Sequence, residues 1–385
     1  MAQVLTYKYR LLPTRRQHGA LRAILESQRE LYNAALEERI ACYRKTGRSL
    51  SYIDQCKSLT HCRRELPEMA ALPANIQRGT LKRLEEAFKG FFRRLKRGGK
   101  PGFPRFRGTH WFTSFAFNEF SGIGLDDRRL RFAGMPGGVR VHLHRPMPDG
   151  KILTAKFKRD AKGWSVCLAV RVDTPDKRPI ACAAGIDVGI TTLAAASDEQ
   201  KIPNPRAARR AEREMRRRQR QLARCRRGSK RRSKIKARVA RLHAKITNTR
   251  ATALHQAGAE LVKRYDMIAV EALNIKGLAK GMLARDVHDA GWSKLRSLLH
   301  YKAERAGVHI IEVDARFTSQ ECPDCGRREP KTLAERVHRC PCGCVLDRDV
   351  AAARVILNRA VVGPGWLKVG DCAVPATGNI TELSK

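Results

Sequence analysis

From Val4 to Leu12 apolar and polar side chains alternate, which predicts a β-strand with one buried face. The period then changes: Leu21, Ile24, Leu25, Leu31 and Ala35 recur at helical spacing and predict a helix from Arg15 to Tyr43. A second helix is expected from Asn75 to Leu95, after Pro73, with Ile76, Leu81, Leu84, Phe88 and Phe91 on one side and basic residues elsewhere. It stops at Gly98-Gly99. Between Lys100 and Asp173 the pattern shortens to β-like runs broken by Gly and Pro: Trp111 to Phe117, Leu130 to Phe132, Val139 to Leu143 and Trp164 to Val172. One early strand and several late ones predict a small barrel that a helical region interrupts. Trp111, Phe112, Phe115 and Phe117 suit base stacking, although aromatics alternating in a strand more commonly form core.

Two apolar runs further on each end in an acid. Ala183 to Ala196 reads as a buried strand region carrying Asp187 inward, and Asp266 to Asn274 repeats the arrangement with Glu271. The periodic stretch from Ala351 to Leu357 predicts a final helix, opened by Asp347-Arg-Asp349. A buried carboxylate needs a partner or a metal. Three acids from separate elements are able to converge on two divalent cations for phosphodiester hydrolysis, whereas any one alone is more often a turn former or helix cap. Asp187-x-Gly189-x-Thr191 also matches the phosphate hairpin of sugar-kinase and actin-like ATPases, which share the RNase H-like core. Such an ATPase needs a second hairpin and has no use for a strongly basic chain. A cut-and-paste transposase carries its Glu last, on a helix; here the order is Asp, Glu, Asp.

Charge narrows the partners. With 78 Lys and Arg against 37 Asp and Glu, the net charge is +41, which points to a polyanion. No run approaches the roughly 18 to 20 apolar residues of a membrane span, so nucleic acid is the expected partner and no membrane is. From Arg206 to Arg250 there are 20 Lys or Arg and two acids, Glu212 and Glu214, with Gly228-Ser229 midway. This predicts a basic helical hairpin in contact with nucleic acid. Of the 12 cysteines, Cys322, Cys325, Cys340, Cys342 and Cys344 cluster and the others scatter. That pattern fits a reducing, intracellular setting with one structural Zn²⁺ on Cys322, Cys325, Cys340 and Cys342, with Cys344 or His338 able to replace Cys342.

Taken together and in order, the motifs resemble the TnpB family of transposon-encoded, RNA-guided DNA endonucleases, ancestral to the type V CRISPR effectors. Gly185-Ile-Asp187-Val-Gly189 is similar to the first RuvC motif, Val270-Glu271-Ala-Leu-Asn274 to the second and Asp347-Arg-Asp349-Val-Ala-Ala-Ala353 to the third. Thr318-Ser-Gln-Glu-Cys322-Pro-Asp-Cys325-Gly326 resembles the segment leading into the family's zinc ribbon, and Gly102-Phe-Pro-Arg-Phe106 the return to its wedge barrel. The chain departs from the pattern at Ala351 (usually Asn), at Ala272 (often Asp) and in having Cys-x-Cys as the second ribbon pair.

The resemblance implies an α+β multidomain chain: a wedge-type β-barrel with an inserted helical recognition domain, then an RNase H-like (RuvC) α/β domain with an inserted zinc ribbon. The expected boundaries are 1–13 and 99–180 for the barrel, 14–98 for the helices, 181–314 for the nuclease with its hairpin at 203–263, 315–345 for the ribbon, 346–358 for the third motif and 359–385 for a disordered tail. It implies Asp187, Glu271 and Asp349 as catalytic ligands of two Mg²⁺ ions, cutting both strands of target DNA in turn. It implies a guide RNA from the transposon end, double-stranded target DNA, a monomer on that RNA, and a cytoplasmic, nucleoid-associated prokaryotic setting. Gln77 is expected to read the adjacent motif, because Gln bonds adenine bidentately. Arg216, Arg217, Arg220, Arg224, Arg231 and Arg232 are expected on nucleic acid. The alternative is a nuclease-inactive RNA-guided repressor, whose signature is a lost acid; a zinc-ribbon RNA-binding protein with no DNA role is a third reading.

Overall fold

The structure is a computed structural model, and it describes residues 2–332, 335–361, 366–369 and 372–375, with only backbone at Lys276 and in the last two segments. The chain divides into two compact units, Met1–Asp173 and Thr174–Lys385. The division falls earlier than the expected 180/181 boundary. Ile180 is buried against Ala183, Met267 and Leu357, and Lys177 and Arg178 donate to the carbonyls of Val308 and Val262, so this segment belongs to the second unit.

In the first unit β1 (Ala2–Leu12) precedes four helices, α1 (Arg15–Thr46), α2 (Tyr52–Glu65), α3 (Pro67–Ala70) and α4 (Ala74–Lys96). Six strands follow: β2 (Ser114–Phe117), β3 (Ile123–Asp126), β4 (Arg129–Phe132), β5 (Val139–His142), β6 (Lys151–Asp160) and β7 (Gly163–Asp173). The alternation read in β1 is realised, with Leu5, Tyr7, Tyr9 and Leu11 buried and their neighbours outward. Capping boxes start two helices, Thr14 with Gln17 for α1 and Ser51 with Asp54 for α2, each satisfying amides that the first turn leaves open.

The seven strands form one antiparallel sheet in the order β2-β6-β7-β1-β5-β4-β3. The sheet is near-barrel: it curls until Phe132 of β4 meets Phe117 of β2 at 5.2 Å, while no strand pairing closes it between β2 and β3 among the described residues. Its core is aromatic: Phe115 stacks on Phe157 at 4.9 Å, and Phe117 and Phe132 pack against the same ring. Phe112, Phe115 and Phe117 are thus core residues, while Trp111 stays 78% exposed.

In the second unit β8 (Ala183–Asp187), β9 (Thr192–Ala196) and β10 (Lys201–Pro203) are followed by α5 (Ala207–Ala223) and α6 (Lys230–Arg264). Next come β11 (Met267–Glu271), α7 (Ile275–Leu278), α8 (Ala284–Ala290), α9 (Trp292–Ala306) and β12 (His309–Val313). A small hairpin of β13 (Val337–Arg339) and β14 (Val345–Asp347) leads into α10 (Arg348–Val361), and β15 (Trp366–Val369) pairs with β16 (Cys372–Pro375). The main sheet runs β10-β9-β8-β11-β12; β8, β11 and β12 are parallel and β9 and β10 antiparallel. Leu254, Leu261 and Tyr265 at the C-terminal end of α6 and Leu295, Leu298 and Leu299 of α9 bury one face of it.

The start of the tail is ordered. Residues 359–361 complete α10, because the Arg359 guanidinium donates to the carbonyls of Asp314 and Arg316 and pairs with Glu321 at 2.8 Å. Apart from the β15–β16 hairpin, the rest of the expected disordered tail lies outside the described residues. No described helix is long and apolar enough to cross a membrane.

Candidate active site and metal centre

β8 and β11 lie side by side and parallel, with Val270 opposite Ile186, so the next residues, Glu271 and Asp187, end their strands together at the carboxyl edge of the sheet. That edge is where ligands bind in open parallel sheets. Asp349 arrives from the first turn of α10, which lies directly against β8. The close approach requires Gly185, since a Cβ there would stand 2.0 Å from the Ala353 carbonyl oxygen and 2.6 Å from the Leu357 nitrogen. The loop after Asp187 brings Gly189 beside Asp349, whose Oδ2 would lie 3.8 Å from a Cβ at that position. Trp292 Nε1 donates to the Gly189 carbonyl at 3.2 Å and Asn204 Nδ2 to that of Ile190 at 2.7 Å, which fixes this loop.

Burial, then the like charges of Glu271 and Asp349, push the Asp187 carboxyl well above the usual carboxylate range. Burial raises Glu271 as well, against the opposing pull of a hydrogen bond from the Thr318 hydroxyl and of the Arg359 charge. Thr318 is itself buried. Thus two acids are disfavoured as anions where they stand, and a cation among them would relieve both effects. Asp347 serves the helix instead, pairing with Lys201 at 2.7 Å and accepting the Asp349 amide at 3.0 Å, which caps α10. Sequence reasoning missed Thr318, Trp292 and Asn204 as positioning groups. Thr318 was visible only as part of a motif, and the other two act through backbone carbonyls that no spacing betrays.

The ribbon cysteines converge. The thiols of Cys322, Cys325, Cys340 and Cys342 lie within 4.8 Å of one another, with 3.7 Å between Cys322 and Cys342 and 3.5 Å between Cys325 and Cys340. Four thiolates at about 2.3 Å from a tetrahedral zinc stand about 3.8 Å apart, so the set fits the ion. Burial works against ionising Cys322, but the amides of Cys325 and Asp324 outweigh it and draw the thiol down to about 6. Gly326 and Gly343 take positive φ, 73° and 93°, where the chain reverses beside each cysteine pair. Cys322, His338 and Cys344 also meet within 4.8 Å, all three buried.

The expected nucleic-acid residues divide. Arg217, Arg220 and Arg224 near and along α5, and Arg231 on α6, are exposed and carry no ion pair among the described residues, while Arg216 pairs with Glu212. Arg232 is a correction. Its guanidinium donates to the carbonyls of Leu222 at 2.7 Å and Cys225 at 3.0 Å, closing the end of α5, so it serves the hairpin turn. Gln77 is a second correction: it is fully buried, accepts a bond from Arg63 and donates to the Met69 carbonyl at 2.9 Å, leaving no edge for a base. The hairpin is anchored by Asp289 of α8, which accepts the amides of Ala208 and Arg209 and pairs with Arg250 at 2.9 Å.

A strongly basic α+β chain with acids gathered at the end of a mixed sheet is of the RuvC-like nuclease class, and comparison with known proteins agrees. Residues 165–282 match a family described as "Probable transposase", residues 292–356 a "Cas12f1-like, TNB domain", and residues 1–48 a "Helix-turn-helix domain". In this last stretch the structure has a strand and one continuous helix, α1. The chain is 34% identical over 359 residues, 91% of its length and 88% of the relative's, to a Streptomyces pristinaespiralis protein named "Putative RNA-guided DNA endonuclease". It is 28% identical to the Escherichia coli K12 protein "Putative RNA-guided DNA endonuclease InsQ", over 93% of this chain and 92% of that one. The chain belongs to the TnpB family of RNA-guided DNA endonucleases. Its fold is that of a Cas12f1 solved with sgRNA and target DNA, at a TM-score of 0.55, 15% identity and coverage of 90% of this chain and 83% of that one.

Proposed function

We propose that Asp187, Glu271 and Asp349 form the single nuclease centre of this chain, which cleaves double-stranded DNA chosen by a bound guide RNA. The observation that carries this reading is the placement of the three acids, Asp187 and Glu271 ending adjacent parallel strands and Asp349 on the helix that Gly185 admits against them, with burial and like charge pushing the Asp187 carboxyl up. Three carboxylates are a hard oxygen donor set suited to Mg²⁺, which when bound supplies charge neutralisation at the scissile phosphate and an activated water. The protein's own part is placement. Thr318 turns Glu271 inward, the α10 cap at Asp347 aims Asp349, and Trp292 and Asn204 hold the loop that keeps Gly189 open beside it. A Cβ at 189 would stand 2.8 Å from the Thr192 carbonyl oxygen, so the loop in this conformation admits only glycine there.

The exposed arginines of α5 fit a phosphate backbone, since they present charge without a neutralising partner such as the Glu212 of Arg216. Target sequence is then read by base pairing and the duplex by shape. The four thiols are the site of a structural Zn²⁺ that holds the approach to α10 rigid. One chain acting on one RNA in a prokaryotic cytoplasm, close to the nucleoid, is the setting that accords with this. The test is a variant series on RNA-loaded protein: Asp187→Asn, Glu271→Gln and Asp349→Asn should each lower cleavage by about 10³-fold or more with RNA retention unchanged. Cleavage surviving Asp187→Asn overturns the assignment.

A further inference from the structure

The ribbon holds more ligands than one zinc ion uses. Cys322, Cys325, Cys340 and Cys342 form one set, and Cys325 and Cys342 within it are exposed. Behind it, Cys322, His338 and Cys344 form a second set, buried throughout. His338 lies in the middle of β13, opposite Leu346, and points inward at 2% exposure while Val337 and Arg339 face out. Its Nδ1 meets the Lys331 side chain, and its buried Nε2 has no hydrogen-bond partner beyond the Cys322 thiol. An imidazole buried beside two thiols, with so little else to satisfy it, is explained if a metal joins them. Cys344 is brought there by the turn in which the Cys340 amide donates to the Cys344 carbonyl at 3.0 Å.

We propose that the ribbon is a two-register metal site, in which one zinc ion can occupy the outer four-thiolate set or move inward to Cys322, His338 and Cys344, with Cys322 a ligand in both. This rests on the reading of the outer cysteines as a zinc site. Charge accords with the two positions: four thiolates and Zn²⁺ make a doubly negative centre that tolerates exposure, whereas two thiolates, a neutral imidazole bound through Nε2 and Zn²⁺ make a neutral one suited to burial, reached when Lys331 gives up Nδ1, which then carries the ring proton. The inner set leaves one tetrahedral position for water. Its consequence is that the ribbon keeps its ion when an exposed thiolate is lost, so that the approach to α10 stays ordered.

The experiment uses the full chain loaded with Co²⁺, whose visible bands shift to shorter wavelength as nitrogen replaces sulfur. Wild type should bind one ion with an all-sulfur spectrum. The Cys325→Ser/Cys340→Ser/Cys342→Ser variant, which keeps only the inner set, should still bind one ion, now with a mixed nitrogen and sulfur spectrum, and lose it on adding His338→Ala. A triple variant that is folded by circular dichroism but binds no Co²⁺ overturns the proposal and leaves the outer site intact. Wild type that binds none removes the zinc reading as well, and two ions per wild-type chain overturn the exchange of a single ion. If the triple variant does not fold, Cys342→Ser decides: adding His338→Ala there should weaken Co²⁺ binding at least about tenfold, and no change overturns the second register.

Discussion

At Asp187 burial and two like charges act in the same direction, and this sets its pH behaviour. Asp187 and Glu271 hold protons in the folded state at a pH where the unfolded chain has released them, so the folded state binds more protons across that window. Without a divalent ion, stability therefore falls as pH rises from the unfolded carboxylate range, about 4, through the raised folded values. Cleavage needs the anions, and because bound Mg²⁺ favours them, its climb with pH lies below this metal-free window. Asp187→Asn should remove Asp187's share of the fall and raise the melting temperature of the metal-free second unit at neutral pH by about 2–4 °C, as about 1 kcal/mol does in a unit of that size; calorimetry against pH checks it. Thr318→Val deletes the bond that pulls Glu271 down. The pH midpoint of cleavage should then move upward and the apparent Mg²⁺ affinity drop about tenfold, both recovering in Thr318→Ser. An unmoved midpoint would reduce Thr318 to packing.

Among elements, the junction of α10 with β8 matters most, because it sets the distance between Asp349 and Asp187. A methyl at Gly185 would overlap the α10 backbone. Gly185→Ala should cost about 1–3 kcal/mol in denaturant unfolding and lose cleavage out of proportion to stability. Asp289→Ala should free the start of α5, at about 2–4 kcal/mol for a buried, ion-paired cap, with hydrogen exchange rising in α5 and not in β8 or β11. Elements with strong periods were legible in the sequence: β1, α1, α4, the two strands ending in acids and the basic hairpin all follow their patterns. Some short ones were not. β3, β10 and β13 are three or four residues long and owe their existence to pairing with neighbouring strands. Gln77 and Arg232 were misread for a common reason: a polar side chain on a basic helix looks solvated, and only the packed structure shows a carbonyl or a guanidinium waiting for it. Asp187 and Glu271 were legible as acids because each closes an apolar strand; His338 and Cys344 were legible only as alternates to Cys342, since no spacing shows that they meet Cys322 as a set of their own.

On the scale of the whole molecule, a net charge of +41 makes RNA retention a salt-dependent property. Replacing Arg217, Arg220 and Arg224 by Ala should lower RNA affinity and flatten its dependence on log salt by about 0.7 for each phosphate no longer neutralised, leaving the fold intact. The two classes of metal should separate in the same preparation: Mg²⁺ withdrawal stops cutting with RNA still bound, whereas removal of the ribbon's ion loosens the lead into α10. The most direct test of the central claim is to purify the chain with the RNA made from its own locus and incubate the complex in Mg²⁺ with a plasmid library carrying the guide's complement beside randomised sequence. The account predicts double-strand cleavage that requires both the guide match and one short adjacent motif, and that disappears in Asp187→Asn. Cleavage indifferent to the guide, or a matched complex that binds and never cuts, would contradict it.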